Sequence, residues 1–180
     1  KYGTDKPDLR IDLTCQDVTE LLEDCGFGPF AGQRIKAVAV SGFTATRKQI
    51  DKLCADAEVI SGNKAYWFKL DEKGEISGGI AKFLQEKKQA VIDRLKLEPN
   101  TFVALSCGKN LAAQKTAGVL RRLLGELCPQ HMNRERYEFC WIVDFPMYEI
   151  GEESGQLEFC HNPFSMPQGG MQALEEKDPL

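Results

Sequence analysis

The chain has 180 residues, of which 42% are hydrophobic and 28% are charged, and its formal net charge is −4 at pH 7. This composition is typical of a globular protein, with room for one ordinary domain and part of a second. A dedicated nucleic-acid binder usually carries a strong basic excess, which is absent here. Any RNA contact must therefore be local or be supplied by other parts of a larger protein.

The seven cysteines include no C-x-x-C pair, which argues against a zinc ribbon. An odd number of cysteines in enzyme-like segments indicates reduced thiols and a cytoplasmic location. No apolar run approaches 18 residues and no signal-peptide pattern opens the chain, so we expect no membrane association. The chain starts without methionine and stops at "EEKDPL", which suggests a fragment of a longer protein.

The first ten residues, "KYGTDKPDLR", are rich in turn formers and predict a loop. The favoured interpretation is a salt-bridged loop, in which Lys6 and Arg10 meet nearby aspartates. The alternative is that these two cations contact phosphate or a partner subunit. Residues 14–24 then predict a helix with Thr14 as its N-cap, ended by a Gly-rich stretch.

Residues 34–130 alternate between strand and helix patterns. Strands are predicted at 34–42, 65–76 and 101–108, and helices at 44–60 (with Thr46 as a candidate cap), 78–97 and 109–128. This alternation is compatible with a parallel α/β sheet. It is equally compatible with a two-layer α+β sandwich that carries its helices on one face.

The character of the chain changes near residue 137. Residues 137–149 predict a long aromatic strand, 151–156 a hairpin loop and 157–164 the returning strand. An isolated hairpin is marginally stable, and the chain offers no evident sheet for it. We therefore expect the middle domain to interrupt another domain, whose flanks lie at both ends of the chain.

His161 opens the stretch "HNPF" and is the leading candidate for a functional residue. Its place at a strand end before a proline loop suits ligand binding, although a lone histidine is commonly structural. His131 is the only other histidine and has no metal-ligand spacing to it. Cys160 points to the opposite face of the strand, which argues against a Cys–His nucleophilic pair. For Asp144, a structural role at the Pro146 turn is favoured over a functional one.

Basic residues on two predicted helices, namely Lys87, Lys88, Arg121 and Arg122, are best interpreted as solvated faces, with contact to an RNA backbone as the alternative. The sequence contains no phosphate-binding loop, dinucleotide fingerprint or nucleophile elbow. No catalytic, cofactor-binding or metal-binding residue is assigned. The residues alone predict an α+β insert flanked by pieces of a ligand-binding β domain.

Three segments, in order, carry a family resemblance: "YGTDKPDLR" (2–10), "WIVDFPMYE" (141–149) and "HNPFSMP" (161–167). They resemble the bacterial-type aspartyl-tRNA synthetases, which are class II enzymes. In that family the first segment belongs to the catalytic domain, a GAD insertion follows, and the other two segments return to the catalytic sheet. "TRKQIDKL" (46–53) and "GGIAKFL" (78–84) look like GAD segments.

The resemblance implies an α+β fold: a two-layer GAD-type insert with a mainly antiparallel sheet and helices on one face. It implies three parts, a catalytic flank at 1–18, the insert at 19–135 and an incomplete return to catalytic strands at 136–180. The family activates L-aspartate with ATP and Mg²⁺, transfers it to tRNA and forms homodimers. The ligands for ATP and Mg²⁺ fall outside this chain, so we expect the chain alone to be inactive.

The family further implies that His161 contacts the aspartate substrate. Many relatives have a second histidine where Asn162 stands, and asparagine, unlike histidine, does not titrate near neutral pH. Two rivals are a tRNA-contacting GAD module and an amidotransferase subunit with the same insert, and the catalytic flanks argue against both. Whether asparagine tRNA is also charged stays open.

Overall fold

The computed structural model describes residues 1–109, 111–143, 146, 148–151, 154–160 and 168–175. These residues form two compact units, 1–139 and 140–180. The strands of the first unit are β1 (Cys15–Asp17), β2 (Arg34–Ser41), β3 (Ala65–Leu70), β4 (Ile76–Ser77) and β5 (Thr101–Gly108). Its helices are α1 (Thr19–Leu22), α2 (Arg47–Ser61), α3 (Lys88–Leu95) and α4 (Ala112–Leu127), with short 3-10 turns at Gly28–Phe30, Ala81–Phe83 and Pro129–His131.

The first unit is built on one five-stranded sheet with the order β1-β2-β5-β3-β4, and every pair is antiparallel. β2 and β5 pair along their whole length, from Arg34 opposite Gly108 to Ser41 opposite Thr101. β3 pairs with the other edge of β5, so β5 separates the two strands that α2 connects. The α+β class and the antiparallel sheet are confirmed, and the parallel alternative is excluded.

The helices cover both faces of this sheet, whereas helices on one face were expected. Along the central strand β5, Phe102 and Ala104 pack into a core with α2 and α4. The alternate residues Val103 and Leu105 pack into a second core with α3 and the segment around α1. The expectation was wrong because β5 is apolar on both sides, so each face needs its own cover.

Helix α2 begins where the sequence predicts. The Thr46 hydroxyl accepts a hydrogen bond from the backbone N–H of Gln49, and the Gln49 side chain accepts one from the backbone N–H of Thr46. This reciprocal pair satisfies two backbone donors that a helix start leaves free. At the other end, Gly62 adopts the left-handed conformation that closes the helix.

The helix predicted from residue 78 begins instead at Lys88. Gly78 and Gly79 both have positive φ, and the chain passes so close to β3 that a Cβ on Gly79 would lie 1.8 Å from the carbonyl oxygen of Trp67. The backbone N–H of Ile80 donates to that same oxygen at 3.0 Å. Packing against β3 therefore fixes this stretch in a turn, and the helix starts after it.

The helix predicted at 14–24 is also shorter than expected. Residues 15–17 are the edge strand β1, which pairs with β2, and only Thr19–Leu22 is helical. The carboxylate of Asp17, rather than Thr14, accepts the backbone N–H of Thr19, at 3.0 Å. Pairing with β2 gives the backbone of residues 15–17 its hydrogen-bond partners, so these residues are not helical.

The second unit contains a hairpin of β6 (Tyr148–Ile150) and β7 (Leu157–Phe159), followed by a 3-10 turn at Gly170–Glu175. The antiparallel hairpin is confirmed, but the strands are shorter than predicted: the described residues 137–143 are not in a strand. Residues 161–164 of the predicted return strand lie outside the described residues. Within the described ranges, no helix has the length and hydropathy that crossing a bilayer requires.

Candidate functional site

Residues 2–13 lie along one stripe of helix α4, which carries two glycines two helical turns apart. A Cβ on Gly118 would lie 2.7 Å from the carbonyl oxygen of Gly3. A Cβ on Gly125 would lie 2.7 Å from the side chain of Ile11. The absence of side chains at these two positions is therefore what lets the segment approach the helix so closely. We call residues 2–13 the docked segment.

Arg121 stands between the two glycines and is 2% exposed. Its Nε donates to the carbonyl oxygen of Leu13 at 2.5 Å, and its Nη2 donates to those of Asp8 at 2.9 Å and Ile11 at 2.6 Å. The guanidinium lies 4.8 Å from the ring centroid of Tyr2. Burial lowers the pKa of Arg121 from its ordinary value. The Arg121 side chain thus contacts both ends of the docked segment. Its burial excludes the contact with RNA that was the alternative interpretation from the sequence.

The docked segment also pairs with the chain that follows α4. Ile11 forms an antiparallel bridge with Met132, and the backbone N–H of Asn133 donates to the carbonyl oxygen of Arg10 at 2.9 Å. His131 Nδ1 lies 2.8 Å from a carboxylate oxygen of Asp12. The docked segment and the chain that follows α4 therefore lie side by side.

The other three basic residues singled out on the predicted helices, Lys87, Lys88 and Arg122, form ion pairs. Arg122 pairs with Glu126 at 2.8 Å, Lys88 pairs with Glu75 at 2.7 Å, and Lys87 pairs with Asp24. In the first loop, Lys6 pairs with Asp5, and Arg10 makes two hydrogen bonds to the carboxylate of Asp8. The bond from Arg10 holds the pKa of Asp8 below its ordinary value. These contacts confirm the favoured interpretation of a salt-bridged loop. The interpretation as a solvated face was wrong for Arg121, because that side chain is buried.

All seven cysteines are free thiols. Burial raises the pKa of Cys15, Cys54 and Cys128 to about 11. A thiol with so high a pKa is almost fully protonated at neutral pH and is a poor nucleophile. These three side chains contribute packing rather than chemistry.

A cleft of ≈ 620 Å³ lies between α1, the start of β2 and α3. Arg34, Arg94 and Asp17 line it, but Lys36 Nζ already meets the Asp17 carboxylate at 2.8 Å and Arg94 donates to the Asp17 carbonyl. Nothing in the cleft pairs a nucleophile with a base. Nowhere in the described part of the chain do three or more His, Cys, Asp or Glu side chains gather as metal ligands would.

The leading candidate from the sequence, His161, lies outside the described residues, as do Asp144 and Asn162. The structure does describe the hairpin that ends two residues before His161. Its Tyr148 and Phe159 rings lie 4.9 Å apart, while Ile150, Leu157 and Phe159 are 51%, 46% and 63% exposed. The hairpin thus presents apolar side chains of the kind that a larger sheet buries.

Sequence reasoning missed the docking role of α4. The available signal was a pair of glycines inside the most regular predicted helix, flanking an arginine on its buried side. Glycine is a poor helix residue, and its presence within a helix commonly marks a close backbone approach.

The chain is similar over its whole length to known proteins. A family model described as the GAD domain matches residues 30–117. The aspartate–tRNA ligase of Streptomyces coelicolor is 42% identical over 182 residues, and that of Streptomyces avermitilis is 44% identical over 185. The aspartate–tRNA(Asp/Asn) ligase of Chlorobium phaeovibrioides is 42% identical over 187 residues.

Each of these matches covers 100% of the chain and 31% of the relative's length. Because similarity extends through both flanks of the GAD domain, neither a free-standing GAD module nor an amidotransferase subunit is favoured. The chain therefore matches the GAD-domain model over residues 30–117 and is similar, over its whole length, to a segment of bacterial aspartate–tRNA ligases.

Proposed function

We propose that the protein of which this chain is a part activates L-aspartate with ATP and transfers it to tRNA. The observation that carries this proposal is an identity of 42–44% to aspartate–tRNA ligases that extends over the whole chain. The ligands for ATP and Mg²⁺ lie in parts of the ligase beyond this chain. We take the chain to comprise a catalytic flank at 1–18, the GAD insert at 19–135 and returning catalytic strands at 136–180.

We assign aspartate binding to His161. An imidazole N–H that donates to the ionised substrate carboxylate makes a charge-assisted hydrogen bond. A site built around such a bond discriminates against an uncharged side chain, because that ligand leaves a polar group unpaired. Asn162, beside it, can donate and accept hydrogen bonds but does not titrate near neutral pH.

The remaining parts of the proposal follow from the same resemblance. The full-length ligase works as a homodimer in the cytoplasm. Its tRNA partner is that for aspartate. The Chlorobium phaeovibrioides relative is named as a ligase for both aspartate and asparagine tRNA. Comparing both tRNAs as substrates of the full-length ligase decides between the two specificities.

The proposal is tested by ATP–pyrophosphate exchange and tRNA charging with the full-length ligase, carrying either the natural residue or His161→Ala. We expect aspartate-dependent exchange from the natural enzyme and none from the 180-residue chain. Loss of one charged hydrogen bond should raise the KM for aspartate roughly 10- to 100-fold, with the KM for ATP little changed.

His131→Gln is the matched control, because it removes the only other histidine, which lies beside Asp12 on the insert. It should leave the KM for aspartate unchanged. A natural full-length enzyme without aspartate-dependent exchange would contradict the proposed activity. An unchanged aspartate KM in His161→Ala would contradict the assignment of that residue alone.

A further inference from the structure

The two glycines of helix α4 favour contact with the docked segment at the expense of helix stability. Two glycines weaken a helix that is otherwise rich in alanine and leucine. Both glycines face the docked segment, with Gly3 against Gly118 and Ile11 against Gly125. The shape of α4 is therefore explained by contact with residues 2–13 and not by the stability of the GAD insert itself.

Arg121 adds specific hydrogen bonds to the close packing of the docked segment on α4. Its fork of N–H donors reaches three backbone carbonyls that are spread over residues 8–13, and its guanidinium lies over Tyr2. A lysine offers one compact ammonium and cannot reproduce this planar fork. Because the acceptors are backbone atoms, the contact fixes the path of the docked segment whatever its side chains are.

A short exposed loop is suspended between the points of attachment. Thr4, Asp5 and Lys6 are exposed, whereas Gly3 on one side touches α4 and Asp8 on the other accepts from Arg121. A displacement of α4 is therefore carried directly into residues 4–6, because the loop has both of its ends on that helix.

We propose that Arg121 is a positioning residue, which joins residues 2–13 and the GAD insert into one body and thereby sets the place of the loop 4–6 for the charging reaction. The part of this inference that concerns the reaction rests on the proposed function. The part that concerns the docked segment does not.

The first test is amide hydrogen exchange in this chain, with Arg121→Gln, Arg121→Lys and Arg122→Gln. Arg121→Gln should speed exchange in residues 8–13 about tenfold or more, because hydrogen bonds to a charged group are lost. β5, on the far side of the core, should keep its protection. The exchange rate of residues 8–13 in Arg121→Lys should lie between those of the natural chain and Arg121→Gln. Arg122→Gln loses only an exposed ion pair to Glu126 and should exchange at the natural rate. Equal protection of residues 8–13 in Arg121→Gln would overturn the inference.

Gly118→Ala keeps the test decisive if Arg121→Gln fails to fold. Alanine favours the helix but places a methyl group 2.7 Å from the carbonyl oxygen of Gly3. We expect α4 to keep its protection while the backbone N–H of Cys15, which donates to the carbonyl oxygen of Lys1 at 2.7 Å, exchanges faster. If the Cys15 N–H stays fully protected in this variant, the docking that we infer does not exist.

The second test uses the full-length ligase with the same substitutions. Arg121→Gln should lower kcat for tRNA charging about tenfold, with KM values for aspartate and ATP changed less than about twofold, as expected for lost positioning rather than lost binding. Arg121→Lys should recover part of the loss. Unchanged kcat in an Arg121→Gln enzyme with faster exchange would overturn the positioning role. An inactive natural ligase would instead count against the proposed function, and the exchange results would stand.

Discussion

Gly79 lies directly beneath the backbone of Trp67, where a Cβ atom would come within 1.8 Å of the carbonyl oxygen. The φ angle of Gly79 is +46°, a conformation that residues with side chains rarely adopt. The neighbouring N–H of Ile80 donates to the same carbonyl oxygen. This contact holds the turn before α3 against β3 and so closes one face of the sheet.

We predict that Gly79→Ala destabilises the fold by about 3 kcal/mol or more, because the methyl group forces the turn away from β3 and strains φ. Urea unfolding followed by Trp67 fluorescence would measure the loss. Gly74→Ala is the matched control: its φ is also positive, at +76°, but nothing lies within 4 Å of a Cβ there. It should cost only about 1 kcal/mol. Equal losses in the two variants would show that the contact with Trp67 is unimportant.

Where the fold followed local rules, the sequence alone predicted it. The helix start at Thr46 depends on side chains three residues apart, and β2 and β5 each contain a run of apolar residues, at 37–40 and 102–105. The continuous burial along β5 also shows why helices cover both faces. That pattern predicts a strand covered on both sides, which the expectation of a two-layer fold did not take into account.

The failures share a cause in contacts between distant parts of the chain. The helix expected from residue 78 does not form there because the chain packs against the backbone of Trp67. Arg121 was interpreted as a surface cation, although it is buried between α4 and the docked segment. Local periodicity cannot show which face of a helix a distant segment will cover. The assignment of His161 is different, because it comes from family resemblance and lies outside the described residues.

The second prediction concerns pH and the edge strand β1. Burial raises the pKa of Asp17, but hydrogen bonds from Lys36 and Thr19 outweigh this effect and lower it from 3.8 to about 2. The folded pKa is thus below the unfolded value. The stabilising contribution of Asp17 is full above pH 3.8 and is lost as the pH falls toward 2.

The Asp17 side chain is 44% exposed, so solvent screening reduces this contribution to about 1 kcal/mol. We predict that Asp17→Asn lowers the free energy of unfolding by that amount at pH 7 and by progressively less between pH 4 and pH 2, measured by urea unfolding. In a double-mutant cycle, Lys36→Met should add less to Asp17→Asn than it costs alone. A constant effect of Asp17→Asn across this pH range would refute the ionic origin.

The third prediction concerns the thiols. Cys140 is exposed, whereas burial raises the pKa of Cys15, Cys54 and Cys128 to about 11. At pH 8 roughly one in a thousand of these three thiols is ionised, and the thiolate is the reactive form. We expect iodoacetamide to modify Cys140 first, with Cys15, Cys54 and Cys128 slower by about a hundredfold or more.

Peptide mass spectrometry after short exposure at pH 8 would give the rate for each cysteine. Repetition in urea is the control, since unfolding removes the burial and should bring the rates together. Cys54 is the most informative site, because it lies on α2 near the surface and is only half buried. Rapid modification of Cys54 in the folded chain would mean that α2 opens locally. Its protection would show that the core between α2 and α4 stays closed on the time scale of the labelling.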